Sequence, residues 1–404
     1  MRWRVLAALF LLSFITIVDR VAISAAKSEM AAELGISDIT FGVVFGAFAL
    51  GYGVFMAPSG WVADRWGPRR FLALIVGLWS LFTLQTGLVS AAGVLIAIRF
   101  LFGAAEAGAY PTAARAIYTW MPARERGLAL GLLNTGSRLG AAIGLTLMSF
   151  SVAALGWRAS FVVLGAAGFA WAAFWLLWFR DTPEEKSGGA AARQPGGNWR
   201  ELVSRNTALI LVQYFASNFT FFLCFSWLLP YLRSHYSLGP REAGFYASIP
   251  LYAGVLATST SGLVVDAIYR RGHWGLSRRL PAMFGFALAA VCLIAASRAT
   301  SMAGFLVFFT ITTFGVDFTL SPSWSVSSDI GRQQTGTLSA AMNTLGSIGS
   351  FASSVVFPRL LAQTGSVTTH FVLAAALDVV AVVCWWNIRP ERARAAGTVS
   401  TERY

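Results

Sequence analysis

The sequence predicts an all-α polytopic membrane protein: twelve transmembrane helices in two six-helix halves. Three observations carry that prediction. Of the 404 residues, 56% are hydrophobic and only 12% charged, roughly half the charged share of a soluble domain. Apolar runs long enough to cross a bilayer, about 20 residues each, recur along the whole chain. The pattern is interrupted once by a long polar stretch, residues 181–204, after the sixth run.

The first run covers about 4–26 and begins MRWRVLAALFLLSF. Its basic start and apolar body have the form of a signal peptide. The apolar character continues through Asp19 and Arg20 with no clear cleavage site before them, so it reads as a retained first helix. Spans two and three, about 39–62 and 70–90, flank the loop GWVADRWGPRR. Span four, about 93–119, contains RFLFGAAEAGAYP; spans five and six cover about 127–150 and 158–180. The stretch DTPEEKSGGAAARQPGG that follows is rich in Gly and polar residues and lacks helical periodicity, which makes it a linker. The second set of spans runs at about 205–232, 242–265, 279–297, 302–327, 335–358 and 367–388. The expected organisation is a bundle over 1–180, a linker over 181–204, a second bundle over 205–390 and a tail over 391–404.

Lys and Arg set the orientation. With the N-terminus inside, Lys27, Arg158, Arg233, Arg241, Arg298 and Arg359 fall outside, while Arg20, Arg99 and Arg138 lie within spans. The large remainder of the 31 basic residues is on the inner side. That asymmetry places both termini and the linker in the cytoplasm of a cell carrying this protein in its cytoplasmic, or inner, membrane. The net charge of +13 reflects the same bias, and no soluble domain exists to hold nucleic acid in a basic groove. Cys224, Cys292 and Cys384 fall singly in apolar runs and read as packing residues. His235, His273 and His370 form no ligand cluster, so no metal or cofactor is expected. No Ser/His or HExxH arrangement and no nucleotide-binding loop is present, which argues against an enzyme and against ATP-driven transport. The sequon Asn218-Phe-Thr220 lies inside a span and is discounted.

Charges inside spans are where function is expected. A charge at the bilayer centre costs on the order of 3 kcal/mol even on the lenient insertion scale and survives only against a partner or a water-filled cavity. Arg99 and Glu106 are seven apart and share a helix face. Gly103, Ala107, Gly108 and Ala109 beside them let another helix approach closely. A carboxyl in low dielectric holds its proton more firmly, and a nearby guanidinium opposes that. Such a pair is poised to titrate when something competes for the arginine. Asp19 and Arg20 are adjacent and point in different directions, so Asp19 pairs with another helix. Gln213 and Asn218 are polar residues of span seven, either lining a cavity or packing helices.

The two halves echo one another. Gly60 and Asp64 of the first loop correspond to Gly262 and Asp266, and NTGSRLGAAIG from Asn134 to NTLGSIGSFAS from Asn343. Internal duplication is expected of many secondary transporters, with the site near the midplane. The loop after span two has the form G-x-x-x-D-R-x-G-x-R-R, supplied by Gly60, Asp64, Arg65, Gly67, Arg69 and Arg70. With twelve spans and a central linker it resembles the major facilitator superfamily over nearly the whole chain, and implies the major facilitator fold with Gly60, Asp64, Arg65 and Arg69 as a cytoplasmic gate motif. VDR at 18–20, RFLFGAAEAGAYP, RERG at 124–127, DTPEE, and PSW followed by SSD at 322–329 resemble the anion:cation symporter branch, which holds sugar-acid, phthalate-type and organic-anion carriers. That resemblance implies substrate contacts by Arg20, Tyr52, Ser321, Trp324 and Asn343. It also implies proton coupling by Asp19 and Glu106, with Arg99 tuning Glu106. A guanidinium grips a carboxylate with two parallel bonds, which suits Arg20 to that role.

Ile17, Ser137 and Arg138 depart from the sugar-acid pattern, where a tyrosine, a glutamine and an uncharged residue are usual. Losing hydroxyl-reading partners favours a less hydroxylated acid and adds Arg138 to the candidate substrate contacts. Asp317 adds a cavity carboxylate in span ten, four before Ser321 and seven before Trp324. Arg138 and Asp317 either neutralise each other or act separately. The sequence thus predicts a monomeric, lipid-embedded carrier moving a small organic carboxylate inward with protons. The alternative is an exchanger or exporter of organic ions on the same fold.

Overall fold

The computed structural model describes residues 2–122, 125–181, 203–331 and 334–389. Most of the linker, the tail, Arg124 and the side chain of Asp64 lie outside the described residues. The described chain is built from fourteen α-helices and one π-helical turn, without a strand. Eleven helical stretches among the described residues are long and apolar enough to cross a membrane.

The first helix, α1, spans Arg2–Leu34. The second, α2, covers Asp38–Thr86 and joins the expected second and third spans as two helices across a kink at Gly67. The basic loop between them is therefore helical. Its change of direction is confined to Gly67, whose φ of 75° and ψ of 158° only a glycine adopts readily. Pro68 then restarts the helix, where a missing N–H does no harm.

Span four is two helices, α3 over Ala92–Glu106 and α4 over Ala109–Trp120. Pro111 causes the break: it has no N–H to donate to the Ala107 carbonyl, so the helix ends and restarts. Two long helices follow, α5 over Arg126–Leu155 and α6 over Trp157–Trp178.

Span seven is α7 over Arg205–Phe222, a π-turn over Leu223–Trp227, and α8 over Leu228–His235. Pro230 leaves the Ser226 carbonyl without its helical donor, and Ser24 Oγ of α1 donates to it at 2.8 Å. Next come α9 over Pro240–Arg270 and α10 over Trp274–Ser297.

Span ten repeats the device of span four. It divides into α11, Met302–Phe318, and α12, Leu320–Gly331. Pro322 frees the Phe318 carbonyl, which accepts from Ser261 Oγ at 2.5 Å. Glu106 stands five residues before Pro111 and Asp317 five before Pro322, so the two acids hold matching places at matching breaks. The last helices are α13, Thr335–Thr364, and α14, Thr368–Asn387.

Two compact units result: Met1–Arg193 with Phe225–Tyr252, and Gln194–Cys224 with Ala253–Tyr404. Residues from Phe225, inside the π-turn, to Tyr252 belong to the first unit, where side chains of α1 meet them. Arg233 pairs with Glu29 at 2.8 Å, and Lys27 lies 5.8 Å from the Trp227 ring.

Within the first unit, small residues fix the helices that carry charge. A methyl group at Gly51 would meet the Phe100 carbonyl of α3, and one at Gly103 would meet the Phe48 carbonyl of α2. The two backbones are thus in reciprocal contact, the close approach expected of glycine in membrane helices. On α5, Gly136 and Gly140 lie against Phe10 and Phe14, and Gly144 lies against Val18, next to Asp19. Gly103→Val should force α2 and α3 apart at a cost of about 1–3 kcal/mol. Its melting temperature in detergent should fall below that of the parent protein; an unchanged melt would show that the contact yields freely.

Candidate functional site

Four charged side chains converge inside the first unit. Asp19 and Arg20 come from α1, and Arg99 and Glu106 from α3. The break before Pro111 makes Glu106 the last residue of α3, and Glu106 is wholly buried, as are Asp19 and Arg99 to within a few per cent. Arg20 Nε donates to Glu106 Oε2 at 2.9 Å. The Arg20 guanidinium lies over the rings of Tyr52, at 4.6 Å, and Phe48, at 5.1 Å, both on α2. The Arg99 guanidinium lies 4.7 Å from the Phe102 ring and 5.3 Å from Phe48. Aromatic faces solvate cations at low dielectric. Thr83 Oγ1, from the part of α2 beyond Gly67, donates to Asp19 Oδ1 at 3.1 Å.

The cluster is balanced in formal charge and electrostatically linked: Arg99 acts on Glu106 and Asp19 as well as on Arg20. It is not balanced in hydrogen bonds. Asp19 Oδ2, Arg20 Nη2, Arg99 Nε and Glu106 Oε1 are buried without a hydrogen-bond partner. Native interiors rarely leave such atoms unpaired, and a functional site is one of the explanations for several together. The arrangement offers unused donors to an anion and unused acceptors to a proton.

The sequence placed Arg99 and Glu106 on one face, and both are buried on α3. The direct hydrogen bond to Glu106, however, comes from Arg20 on the neighbouring helix. Spacing within one helix says which residues share a face; it does not say which of two nearby cations takes the bond. Asp19 does have its partner on another helix, Thr83. Phe48, Phe102, Thr83 and the buried Tyr110 hydroxyl entered no expectation, since aromatic and threonine residues are common in any span. Arg138 lies on α5, half-buried.

The candidates on the second unit are more dispersed. Asp317 is buried on α11, with its carboxylate where a side chain on Gly254 of α9 would stand. Asp317 and Ser321 both face α9, the first at Gly254 and the second at Thr258 and Gly262, and Trp324 lies beyond the turn at Thr319. Ser321 Oγ donates to the Thr258 carbonyl at 3.3 Å, and Asn343 Nδ2 to the Ser339 carbonyl at 3.1 Å. Trp324 is exposed and meets Tyr214 edge-on at 6.4 Å. Gln213 accepts from Ser323 and Trp385, each at 3.3 Å, and so has a packing role in the buried core of this unit.

At the basic loop, the Arg65 guanidinium packs on Trp61 at 3.7 Å, and Gly60 has open space beside it. The Arg69 backbone N–H donates to Asp181 Oδ1 at 2.8 Å, and its Nε to the Leu176 carbonyl at 2.9 Å. Asp181, the first residue of the DTPEE motif, thus pins the loop to the end of α6.

Long apolar helices that bury a cluster of opposed charges are a recurring pattern of multi-pass membrane transporters. The chain belongs to the Major Facilitator Superfamily, whose family model matches residues 9–354. It is similar to a probable sulfoacetate transporter of Cupriavidus necator, 31% identical over 405 residues, covering 96% of this chain and 94% of the relative. A probable galactarate/D-glucarate transporter of Bacillus subtilis is 28% identical, covering 95% and 91%. The hexuronate transporter of the same organism is 27% identical, covering 98% and 96%. Among solved structures, a bacterial homologue of the human lysosomal transporter Spinster matches with a TM-score of 0.76 at 20% identity, covering 100% of this chain and 97% of that one. At that identity the likeness concerns the fold.

Proposed function

We propose that this chain is a secondary transporter that carries a small organic acid anion with protons, inward across a cytoplasmic membrane, by alternating access of its two six-helix halves. The observation that carries the reading is the Arg20–Glu106 pair, buried and short of partners on both sides. A substrate carboxylate engaging Arg20 competes with Glu106 for the same guanidinium. Glu106, stripped of its cation in a low-dielectric site, then takes up a proton. When the substrate leaves, Arg20 returns to Glu106 and the proton is released. Binding and protonation are thereby linked through one side chain. Asp19, held by Thr83 and acted on by both Glu106 and Arg99, is the second coupling carboxyl.

Relatives named for sulfoacetate, galactarate, D-glucarate and hexuronate transport support an organic acid as the cargo. Ile17 cannot hydrogen-bond a hydroxyl group and Ser137 reaches less far than a glutamine, while Arg138 supplies a further cation on α5. Both favour a compact, poorly hydroxylated dianion such as a short sulfocarboxylate over a sugar diacid. The bias of Lys and Arg supports cytoplasmic termini.

Uptake into proteoliposomes tests this, with sulfoacetate, galactarate, glucuronate and phthalate as labelled substrates, with and without an inward proton gradient. Sulfoacetate should be accumulated at least tenfold better than galactarate, and only with the gradient. Equal uptake without a gradient, stimulated by substrate preloaded inside, would instead identify an exchanger.

A further inference from the structure

The buried face of α14 carries two polar side chains that the transport site does not use, His370 and Asp378. They lie on one ridge of the helix, His370–Ala374–Asp378, in four-residue steps, about 12 Å apart along its axis at 1.5 Å per residue. Asp378 is fully buried. Its hydrogen-bond partner is Thr220 of α7, whose Oγ1 is 3.1 Å from one carboxyl oxygen and 3.2 Å from the other. A hydroxyl has a single proton and serves one of them at a time. The His370 ring is buried against Phe219, the residue before Thr220, with ring centroids 5.1 Å apart, and neither of its nitrogens has a hydrogen-bond partner. Imidazole and carboxyl therefore border the same turn of α7.

Among the described residues no cation is paired with this carboxyl. The described elements packed on α14 include α7, α10, α13 and, through Phe305 and Phe309 against Phe371, α11. Their charged groups are Arg205, Arg278, Arg279, Asp317 and Arg359; Tyr214, Cys292 and, on α14 itself, Cys384 complete the titratable set. Arg205 bonds Asn387, Arg278 pairs with Asp329, and Arg279 donates to the Trp385 and Trp386 carbonyls, all near the far end of α14 from His370. Asp378 is buried and its hydrogen-bond partner is a neutral hydroxyl. A bare carboxylate is badly served there, whereas a neutral acid shares a hydrogen bond with a threonine hydroxyl, which donates or accepts equally well. Thr83 holds Asp19 in the same way at the same 3.1 Å, but with Arg99 acting on it.

We propose that Asp378 and Thr220, on the turn of α7 that His370 also borders, form a further proton-binding site, in the second compact unit and separate from Asp19 and Glu106. That its occupancy changes during transport rests on the proton-coupled reading above; that it binds and releases a proton does not. The carboxyl is built to exchange a proton between a neutral form bonded to Thr220 and a charged form accepting from it.

Infrared difference spectra of the purified full chain in detergent, stepped from acid to alkaline pH, test the site without any substrate. The carboxylic acid carbonyl band reports Asp378 and excludes His370, since an imidazole does not absorb there. The parent protein should lose a component of that band as pH rises. Asp378→Asn should lack that component, Glu106→Gln should keep it, and Thr220→Val should move it to higher frequency by removing its hydrogen bond. Identical pH-difference spectra for the parent and Asp378→Asn would overturn the proposal, as would a component that persists unchanged at every pH. Should Asp378→Asn fail to fold, Thr220→Val decides: a shifted component supports the site and an unshifted one overturns it. Failure of the coupling reading is distinguishable, because Glu106→Gln would then still concentrate substrate while the Asp378 component remained.

Discussion

Glu106→Gln should keep substrate counterflow and lose accumulation driven by a pH gradient. Glutamine has the shape of protonated glutamate and can still accept from Arg20 Nε through its amide oxygen, but it has no proton to release. Counterflow exchanges substrate outside for substrate inside and needs no net proton movement, so the variant should sustain it. Gradient-driven accumulation should fall on the order of 100-fold, the lower end of what removing an essential proton-transfer group costs. The neutral variant leaves Arg20 buried without its carboxylate, and thermal stability should drop with it. Counterflow in the same liposomes controls for that drop, because an unfolded carrier fails both assays. Asp19→Asn should behave alike if Asp19 is the second coupling carboxyl, and should lose both activities together if Thr83 and Asp19 serve only to hold α1 against α2.

Arg20→Lys should weaken substrate affinity on the order of 10- to 100-fold, the range set by losing one charge-assisted hydrogen bond of about 1.5–3 kcal/mol. Arg20 gives its Nε to Glu106 at 2.9 Å and has Nη2 unused. A guanidinium can therefore serve Glu106 and an incoming carboxylate from different edges. An ammonium is a single point of attachment without the planar face that lies over Tyr52. Charge is preserved, so the fold should survive. Binding is read by the shift in melting temperature on adding substrate, and transport by uptake; wild-type values for both would remove Arg20 from the binding role.

The membrane spans were legible because hydropathy over 20 residues is a strong signal, and the charged residues of VDR and RFLFGAAEAGAYP stood out against it. The finer geometry was less so. Pro111, Pro230 and Pro322 each break or distort a helix that hydropathy alone presents as continuous. The freed carbonyls of Ser226 and Phe318 find serine donors from other helices, which no local reading could supply. Those breaks shape the site: one ends α3 at Glu106, and another falls between Asp317 and Ser321. The partner of Glu106 was missed for the same reason, since Arg20 is 86 residues away in sequence and only helix packing brings it closer than Arg99. Asp378 lay in plain view as the lone acid of the last span, but Thr220 was read only as part of a discounted sequon. Nothing in the sequence joins α7 to α14.

The measurement that bears most directly on the Arg20–Glu106 exchange is proton uptake on substrate binding. Purified protein in weakly buffered detergent solution, with a pH indicator, is mixed with sulfoacetate adjusted to the same pH. The carrier should take protons from solution as the anion displaces Glu106 from Arg20, with uptake saturating alongside binding. Glu106→Gln should bind the anion, judged by its melting temperature, and take up markedly less. Binding by the parent protein with no change in pH, or equal proton uptake by parent and variant, would contradict the exchange.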